Sequence, residues 1–257
     1  DHIGAGEHRN FEEYLYWKSM LFQQSRMGIV NGDDLRAGDI MKGSTCPFLL
    51  FGTNPLDERI RYAAGDISLV KTPDCLGSRF TIRDRESGRT DLCELSIAGR
   101  FNISNALAAY TTACALGCRR ECILTALKKV SVRGRAEMIY SNDRYHLMID
   151  YAHNAVSLES LLKTLREYNP GRIVCIFGCG GNRSRYRRFS MGEISGNLAD
   201  LTIVTEDNSR NEDRLSIMED IITGNMRTKG DYLVFPDRRV PIRLGMKYSQ
   251  PGNFIIL

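Results

Sequence analysis

Apolar residues recur with a helical spacing near the start of the chain and gather into short runs farther on. Phe11, Tyr14, Leu15, Lys18, Leu21 and Phe22 mark one face of a helix over residues 10–26. Asn10 is a fair N-cap for it, and Glu12 and Glu13 fall in its first turn. Residues 27–62 are mixed, with Gly28, Gly32, Gly43, Gly52 and Pro55 between short apolar runs. Strands are predicted at 64–70, 79–84 and 90–97, the last two joined by a charged hairpin turn over 83–89. Two helices follow, near 102–117, opening at Asn102 or Ser104 and closing at Gly117, and near 119–129.

The pattern changes after residue 130. Strands at 145–150, 172–177, 201–205, 231–235 and 253–257 alternate with helices near 155–168, 189–198, 213–227 and 238–247. Such alternation predicts an α/β unit, a mostly parallel sheet with helices on both faces. The boundary between the two regions is expected near 133–144, where charge is dense and regular pattern is lost. The closing run Asn253 to Leu257 reads as a strand cut at its carboxyl end, which makes the chain a piece of a longer one; a true terminus in an edge strand is the alternative.

Composition narrows the class. A chain of 257 residues has room for two domains, and 42% hydrophobic residues exclude a disordered polymer. The net charge of +4 is too small and too scattered for a nucleic-acid partner. No apolar run approaches the roughly twenty residues of a membrane span. The eight cysteines, several inside apolar runs and with no secretory segment ahead of them, read as free thiols of a reducing compartment, hence a cytoplasmic protein. Cys114, Cys118 and Cys122 are spaced four apart but have no histidine at ligand spacing, so they are not read as a metal site.

In parallel α/β sheets the chemistry gathers after the strands. Gly178-Cys179-Gly180-Gly181 follows one strand, and glycines there permit close backbone approach and can turn amides toward an anion. Arg183, Arg185, Arg187 and Arg188 come next, a cationic rim suited to carboxylate or phosphate, or a solubilising charge run beside a glycine turn. Asp150 and His153 follow another strand: Asp150 for a ribose diol or a magnesium ion, His153 for a nucleotide or a local cap. Asp207-Asn208-Ser209-Arg210 follows a third, either an Asx-type turn or a polar clamp whose Arg meets a substrate carboxylate. Asp1, His2, Glu7 and His8 are potential cation ligands, and Lys18 sits among aromatics, where an unmodified amine would snorkel.

Taken together these segments resemble the Mur ligases, and among them the synthetases that add the third residue of the stem peptide. Asp1-His2 with the helix Phe11 to Lys18 is similar to the metal-binding histidine and carbamylated-lysine region of the central domain. Gly99 to Asn105 resembles its helix entry, and Gly134-Arg135-Ala136-Glu137 the arginine segment leading into the last domain. Asp150 to His153 resembles the nucleotide segment, Phe177 to Arg183 the loop of the third domain, and Asp207 to Arg210 the motif that selects the incoming amino acid. Six such segments in family order cover essentially the whole chain.

The resemblance implies the end of a central ATPase domain over 1–138, followed by a Rossmann-like amino-acid-binding domain over 139–257 that is truncated at its end. It implies ATP-dependent addition of meso-diaminopimelate to UDP-N-acetylmuramoyl-L-alanyl-D-glutamate, with ATP and Mg2+, by a monomeric protein. On that basis Lys18, as a carbamate, and His2 hold metal. Arg135 and Asp150 meet ATP phosphate and ribose, and Asn102 and His153 line the nucleotide site. Lys18, His2 and Arg135 are the catalytic residues, and Arg183, Arg187, Asp207, Asn208 and Arg210 bind substrate. An L-lysine-adding ligase, a folylpolyglutamate synthetase and a degenerate nucleotide- or anion-binding paralogue are the rival readings.

The chain departs from the pattern in several places. It carries no Gly-x-x-Gly-Lys-Thr-type phosphate loop and no Gly-Lys-Gly-His-Glu segment, so it is not expected to catalyse alone. Arg187-Arg188-Phe189 replaces the usual Lys-Arg-Pro, Ser209 replaces the usual Pro, and Ile3 to His8 form a longer spacer than usual.

Overall fold

The computed structural model describes residues 8–72 and 75–257. Its backbone divides into two compact units. The first holds the chain up to Ser68, Ser78–Leu95 and Arg100–Val130; the second holds Leu69–Gly77, Ser96–Gly99 and Ser131–Leu257.

In the first unit the opening helix α1 (Phe11–Gln23) is capped as expected: Asn10 Oδ1 accepts the Glu13 N–H at 2.9 Å. The mixed stretch that follows contains β1 (Gly28–Asn31), α2 (Ala37–Met41) and β2 (Phe48–Gly52), elements too short to reveal a period. They are followed by β3 (Ile60–Thr72) and β4 (Cys75–Asp84), whose residues 69–72 and 75–77 fall to the second unit, and by β5 (Thr90–Leu95), α3 (Arg100–Ala115) and α4 (Arg120–Lys129). The five strands form one sheet in chain order; β1, β2 and β3 run parallel, and β4 and β5 make the predicted hairpin. Val30, Leu50, Ile60 and Ala63 fill a core beside it.

Two buried carboxylates organise the hairpin. Arg61 Nε donates to Asp84 Oδ1 at 2.5 Å, and the Tyr110 hydroxyl donates to Asp91 Oδ2 at 2.6 Å. Arg120 of α4 reaches both aspartates. Burial by itself would raise the Asp84 pKa, but hydrogen bonds from Arg61, Ser87 and Arg120 outweigh it and hold the carboxyl well below the usual range. All eight cysteines are free.

The second unit contains β6 (Glu137–Ser141), β7 (Tyr145–Ile149), α5 (Ala155–Arg166), β8 (Ile173–Phe177), α6 (Arg185–Leu198), β9 (Leu201–Thr205), α7 (Arg214–Asn225), β10 (Tyr232–Phe235), α8 (Arg239–Tyr248) and β11 (Asn253–Ile256). Its sheet runs β10-β9-β8-β11-β7-β6, parallel except for β6. The largely apolar strands β7, β8 and β11, with His146 and Asn253 as their polar members, are buried on both faces, as parallel strands require. Alternate residues serve opposite cores. Met148, Cys175, Phe177, Val204, Phe254 and Ile256 pack with Leu161 of α5, Met191 of α6 and Ile217 of α7. Leu147, Val174, Ile176, Ile203 and Ile255 pack with Ile242 and Met246 of α8.

Topology explains this division. From β7 to β10 the chain advances in one direction across the sheet, so right-handed crossovers place α5, α6 and α7 on one face. It then turns back, placing α8 on the other face and β11 between β8 and β7. The closing strand is therefore internal, which overturns the edge-strand alternative. The stretch 133–144, which lacks a pattern in sequence, holds the edge strand β6, whose Ile139 and Tyr140 are exposed. Among the described residues no helix is long and apolar enough to cross a membrane.

The depressed pKa of Asp84 sets a sign for acid behaviour. Its folded value lies below the unfolded one of about 3.9, so its stabilisation is complete above that pH and is lost as pH falls. Thermal midpoints measured from pH 7 to 2.5 should therefore drop below about pH 4. Asp84→Asn should melt lower at pH 7 and show a shallower acid fall than wild type.

Candidate functional site

Five strand ends of the second unit converge on one cleft. Asp150 follows β7, Gly178 follows β8, Asp207 follows β9, Arg238 lies beyond β10, and Ile256 and Leu257 close β11. The space among them is about 240 Å³, and Tyr151, His153 and Phe177 also line it. This is the position at which open parallel sheets hold ligands.

Asp150 is a fixed point of the cleft. One carboxylate oxygen accepts the Ala136 N–H at 2.7 Å and the other accepts the Ala152 N–H at 2.7 Å. A carboxylate offers about four acceptor positions, so capacity remains for a ligand hydroxyl. The bond to Ala136 closes the arginine segment onto the strand end. There Gly134 and Ala136 both take left-handed backbone conformations, and the Gly134 N–H donates to Glu137 Oε2 at 2.7 Å. Arg135, between them, is exposed, with its guanidinium 5.0 Å from the centre of the Tyr151 ring. His153 is exposed, and its Nδ1 lies 3.0 Å from the Tyr151 carbonyl. The cap of α5 is Asn154, which accepts the Ser157 N–H at 2.9 Å, so His153 does not carry the capping role.

The glycine loop packs against the loop after β9. A Cβ on Gly181 would stand 1.9 Å from the Ser209 carbonyl oxygen, and one on Gly178 would stand 2.3 Å from that of Thr205. The Gly181 N–H donates to the Asn208 carbonyl at 2.8 Å, and the Asn182 N–H donates to Glu212 Oε1 at 2.5 Å. These two amides are thus committed to the protein rather than to an anion. The glycines bring the Asp207–Arg210 segment against the strand end.

The cationic rim divides in two. α6 begins at Arg185, four residues earlier than its periodicity predicts, so Arg185, Arg187 and Arg188 lie on its first turn. Arg188 is buried and pairs with Asp220 and Glu212, and Arg185 makes two hydrogen bonds to Asp220. The Arg185 and Arg188 hydrogen bonds outweigh burial and hold the Asp220 carboxyl below its usual range. The side chains of Arg183, Arg187 and Arg210 have no hydrogen-bond or ion-pair partner among the described residues. Arg187 Nε is buried without one.

Within Asp207–Arg210 neither Asp207 nor Asn208 closes an Asx turn with its side chain. The Asp207 carboxylate instead lies 3.8 Å from Arg238. Arg210 is exposed and left-handed at φ 51. Asp150, His153 and Asp207 thus share the cleft, whereas Arg183, Arg187, Asn208 and Arg210 lie outside its lining. Burial pushes the Cys175 and Cys179 thiols up to about 12, which removes them as nucleophiles. Tyr151, part of the Asp150–His153 segment but given no role of its own, lines the cleft, and so does Arg238, which sequence reasoning missed. Arg238 stands just beyond a strand end, the same signal that marks Asp150 and Asp207.

The remaining candidates belong to the first unit or lie outside the described residues. Lys18 is exposed on α1, with its amine 5.4 Å from the Tyr14 ring centre. Asn102 sits in the first turn of α3, where its Oδ1 accepts from Asn105 Nδ2 at 3.0 Å. His2 lies outside the described residues. Among those residues no group of three or more His, Cys, Asp or Glu side chains is placed to hold a metal ion.

Comparison with known proteins matches this layout. The Mur ligase middle-domain family model matches residues 1–113, and the Mur ligase glutamate-ligase-domain model matches residues 134–257. The chain belongs to the Mur ligase family. A UDP-N-acetylmuramoyl-L-alanyl-D-glutamate–2,6-diaminopimelate ligase of Syntrophomonas wolfei subsp. wolfei is 34% identical over 264 residues, a match covering 100% of this chain and 52% of the relative. A solved structure of a ligase with that same description superposes with TM-score 0.64 at 26% identity, covering 100% of this chain and 52% of that one. Folylpolyglutamate synthase from Thermotoga maritima superposes with TM-score 0.68 at 17% identity, over 95% of this chain and 54% of its own, a likeness of fold alone. The chain spans about half the length of the curated relatives it matches.

The loop contact generates a test. Gly181→Ala must displace Ser209, so hydrogen exchange should accelerate at the Gly181 position and through 205–210. The thermal midpoint should fall by several degrees, roughly the effect of 1–3 kcal/mol of overpacking. An unchanged exchange pattern would show that the two loops are not locked.

Proposed function

We propose that the full-length protein carrying this chain is an ATP-dependent amide ligase that adds meso-diaminopimelate to UDP-N-acetylmuramoyl-L-alanyl-D-glutamate. The observation that carries this reading is the Asp207–Arg210 segment, packed on the glycine loop at the strand ends of a Mur ligase C-terminal domain. Relatives at 31–34% identity bear the name of that activity. On this reading residues 1–138 complete the central ATPase domain and 139–257 bind the amino acid.

The chemistry follows in two balanced steps. The terminal carboxylate of the muramyl dipeptide takes the γ-phosphoryl group of ATP, leaving ADP and an acyl phosphate. The diamino acid's neutral amine then attacks the acyl carbon; phosphate leaves and the nitrogen loses a proton. Asp150, already oriented by two backbone amides, has acceptor capacity for ribose hydroxyls. Arg135, steadied over Tyr151, is available to phosphate, and His153 is proposed to meet the nucleotide; Asn102, in the first unit, is assigned to the nucleotide on the family resemblance alone. Arg183, Arg187 and Arg210, whose charges no described acidic group neutralises, serve carboxylates and phosphates of the substrates, with Asp207 and Asn208 beside them.

Magnesium would neutralise phosphate charge in this chemistry. Its proposed ligands in this chain are His2 and Lys18 as a carbamate. The Lys18 amine is solvent-accessible, as addition to CO2 requires; an N–C bond forms and one proton is lost. The protein is proposed to act as a monomer in the cytoplasm, a setting in keeping with its eight free thiols.

Two measurements on the full-length protein test the assignments. Arg210→Ala should raise the KM for meso-diaminopimelate about 10- to 100-fold while leaving the KM for ATP within twofold. A wild-type preference for L-lysine would assign the enzyme to the lysine-adding branch, and activity with a folate and glutamate would assign it to the folate branch. Lys18→Ala should lower turnover by at least about 100-fold, with partial rescue by short carboxylic acids, and bicarbonate depletion should weaken the wild type. Full activity in Lys18→Ala would exclude the carbamate.

A further inference from the structure

Arg238 is the one arginine or lysine among the residues lining the strand-end cleft. The same lining carries two carboxylates whose situations differ. Each Asp150 oxygen already accepts a backbone amide at 2.7 Å, and that group is locked in place. Asp207 has no hydrogen-bond partner among the described residues, and its single ionic neighbour is Arg238 Nη1 at 3.8 Å. That distance is too long for a hydrogen bond, and the Arg238 guanidinium donates to no other group among the described residues, so its five N–H donors are available there. Both side chains keep more than a third of their surface exposed, 36% for Arg238 and 49% for Asp207. An ion pair so loose and so wet contributes little to stability. What it provides is a cation and an anion held side by side in the cleft, each able to turn toward a bound molecule.

We propose that Arg238 and Asp207 form a zwitterion-reading pair: Arg238 takes a carboxylate, and Asp207 the adjacent ammonium, of the amino-acid end of the diamino acid. This rests on the ligase reading above. The separation suits the ligand class, because an α-amino acid presents its two charges on neighbouring groups a few ångströms apart. Opening the 3.8 Å pair to admit them exchanges one weak contact for two charge-assisted ones. The neighbouring wall supports this choice. Ile256, Leu257, Ile176 and Phe177 line the same space, so the charges meet their partners against an apolar floor where water competes less. Arg238 is accordingly a substrate-binding residue, distinct from the rim arginines Arg183, Arg187 and Arg210, which lie outside this lining.

Steady-state kinetics of the full-length enzyme decide the matter. Arg238→Ala should raise the KM for meso-diaminopimelate about 10- to 100-fold, with the KM for ATP within twofold and kcat changed less than the KM. Arg238→Lys should recover part of the loss, because it restores charge but not the planar fork. Arg243→Ala removes an equal charge from the exposed face of α8 and should match wild type. A diaminopimelate KM unchanged in Arg238→Ala, or an equal rise in the ATP KM, overturns the pair. A wild-type enzyme that forms no amide from the muramyl dipeptide and diaminopimelate overturns the ligase reading itself. A thermal midpoint in Arg238→Ala within about 2 °C of wild type is expected, given the weak surface pair; a larger fall would mark Arg238 as structural and overturn its role in substrate binding.

Discussion

Arg188 is a guanidinium buried beneath the first turn of α6, and it is tolerable there because Asp220 and Glu212 meet it at 2.7–3.1 Å. Losing one side of such a contact leaves an uncompensated charge in the interior, so the group holds its neighbours strictly. Asp220 fixes α7 against α6 and also takes both contacts from Arg185. Glu212 precedes α7, and it accepts the Asn182 amide from the glycine loop as well. Through that acceptor the ionic group reaches the strand end of β8. The loop after β9, which carries Asp207 to Arg210, lies against Gly178 and Gly181 with no room for a side chain. The Asp207–Arg210 segment is thus backed, through the glycine loop, by an ionic group centred on a buried guanidinium.

The sheet order supplies the other half of the site. Because β11 returns to the middle of the sheet, its end stands between those of β7 and β8. Leu257 accepts the Asp150 N–H at 3.1 Å and donates to the Met148 carbonyl at 2.9 Å, extending the ladder to the rim of the cleft. Asp150 then reaches forward to Ala136 and Ala152. A strand, a turn and a helix entry therefore converge on one carboxylate, and the arginine segment before β6 is held by it. Rigidity here arises from backbone donors meeting a charged acceptor, a stronger contact than a neutral pair.

Likeness of fold does not by itself fix the chemistry. The backbone superposes on a folylpolyglutamate synthase at least as closely as on a diaminopimelate ligase, with TM-scores of 0.68 and 0.64. Architecture alone does not distinguish the two activities. On the proposed reading, the discriminating content would lie in a few side chains after the strands, chiefly Asp207 to Arg210 and the loop that packs on them.

The sequence by itself determined the α/β alternation after residue 130, the Asn10-capped first helix and the hairpin, because period and capping are local properties. It also placed Asp150, His153 and Asp207 at strand ends, where the parallel architecture brings them into one cleft. Short elements such as β1 and β2, and the edge strand β6, carry too few residues or too little burial to show a period. Only the tertiary structure decided what the charges do. Four arginines in one run look alike in sequence, yet Arg185 and Arg188 are spent on Asp220 and Glu212, about 25 to 35 residues away, while Arg183 and Arg187 are not. Likewise Gly181 reads as an anion-binding glycine until Ser209 is found against it. Long-range pairing distributes these partners, and a linear pattern holds no record of which charge meets which.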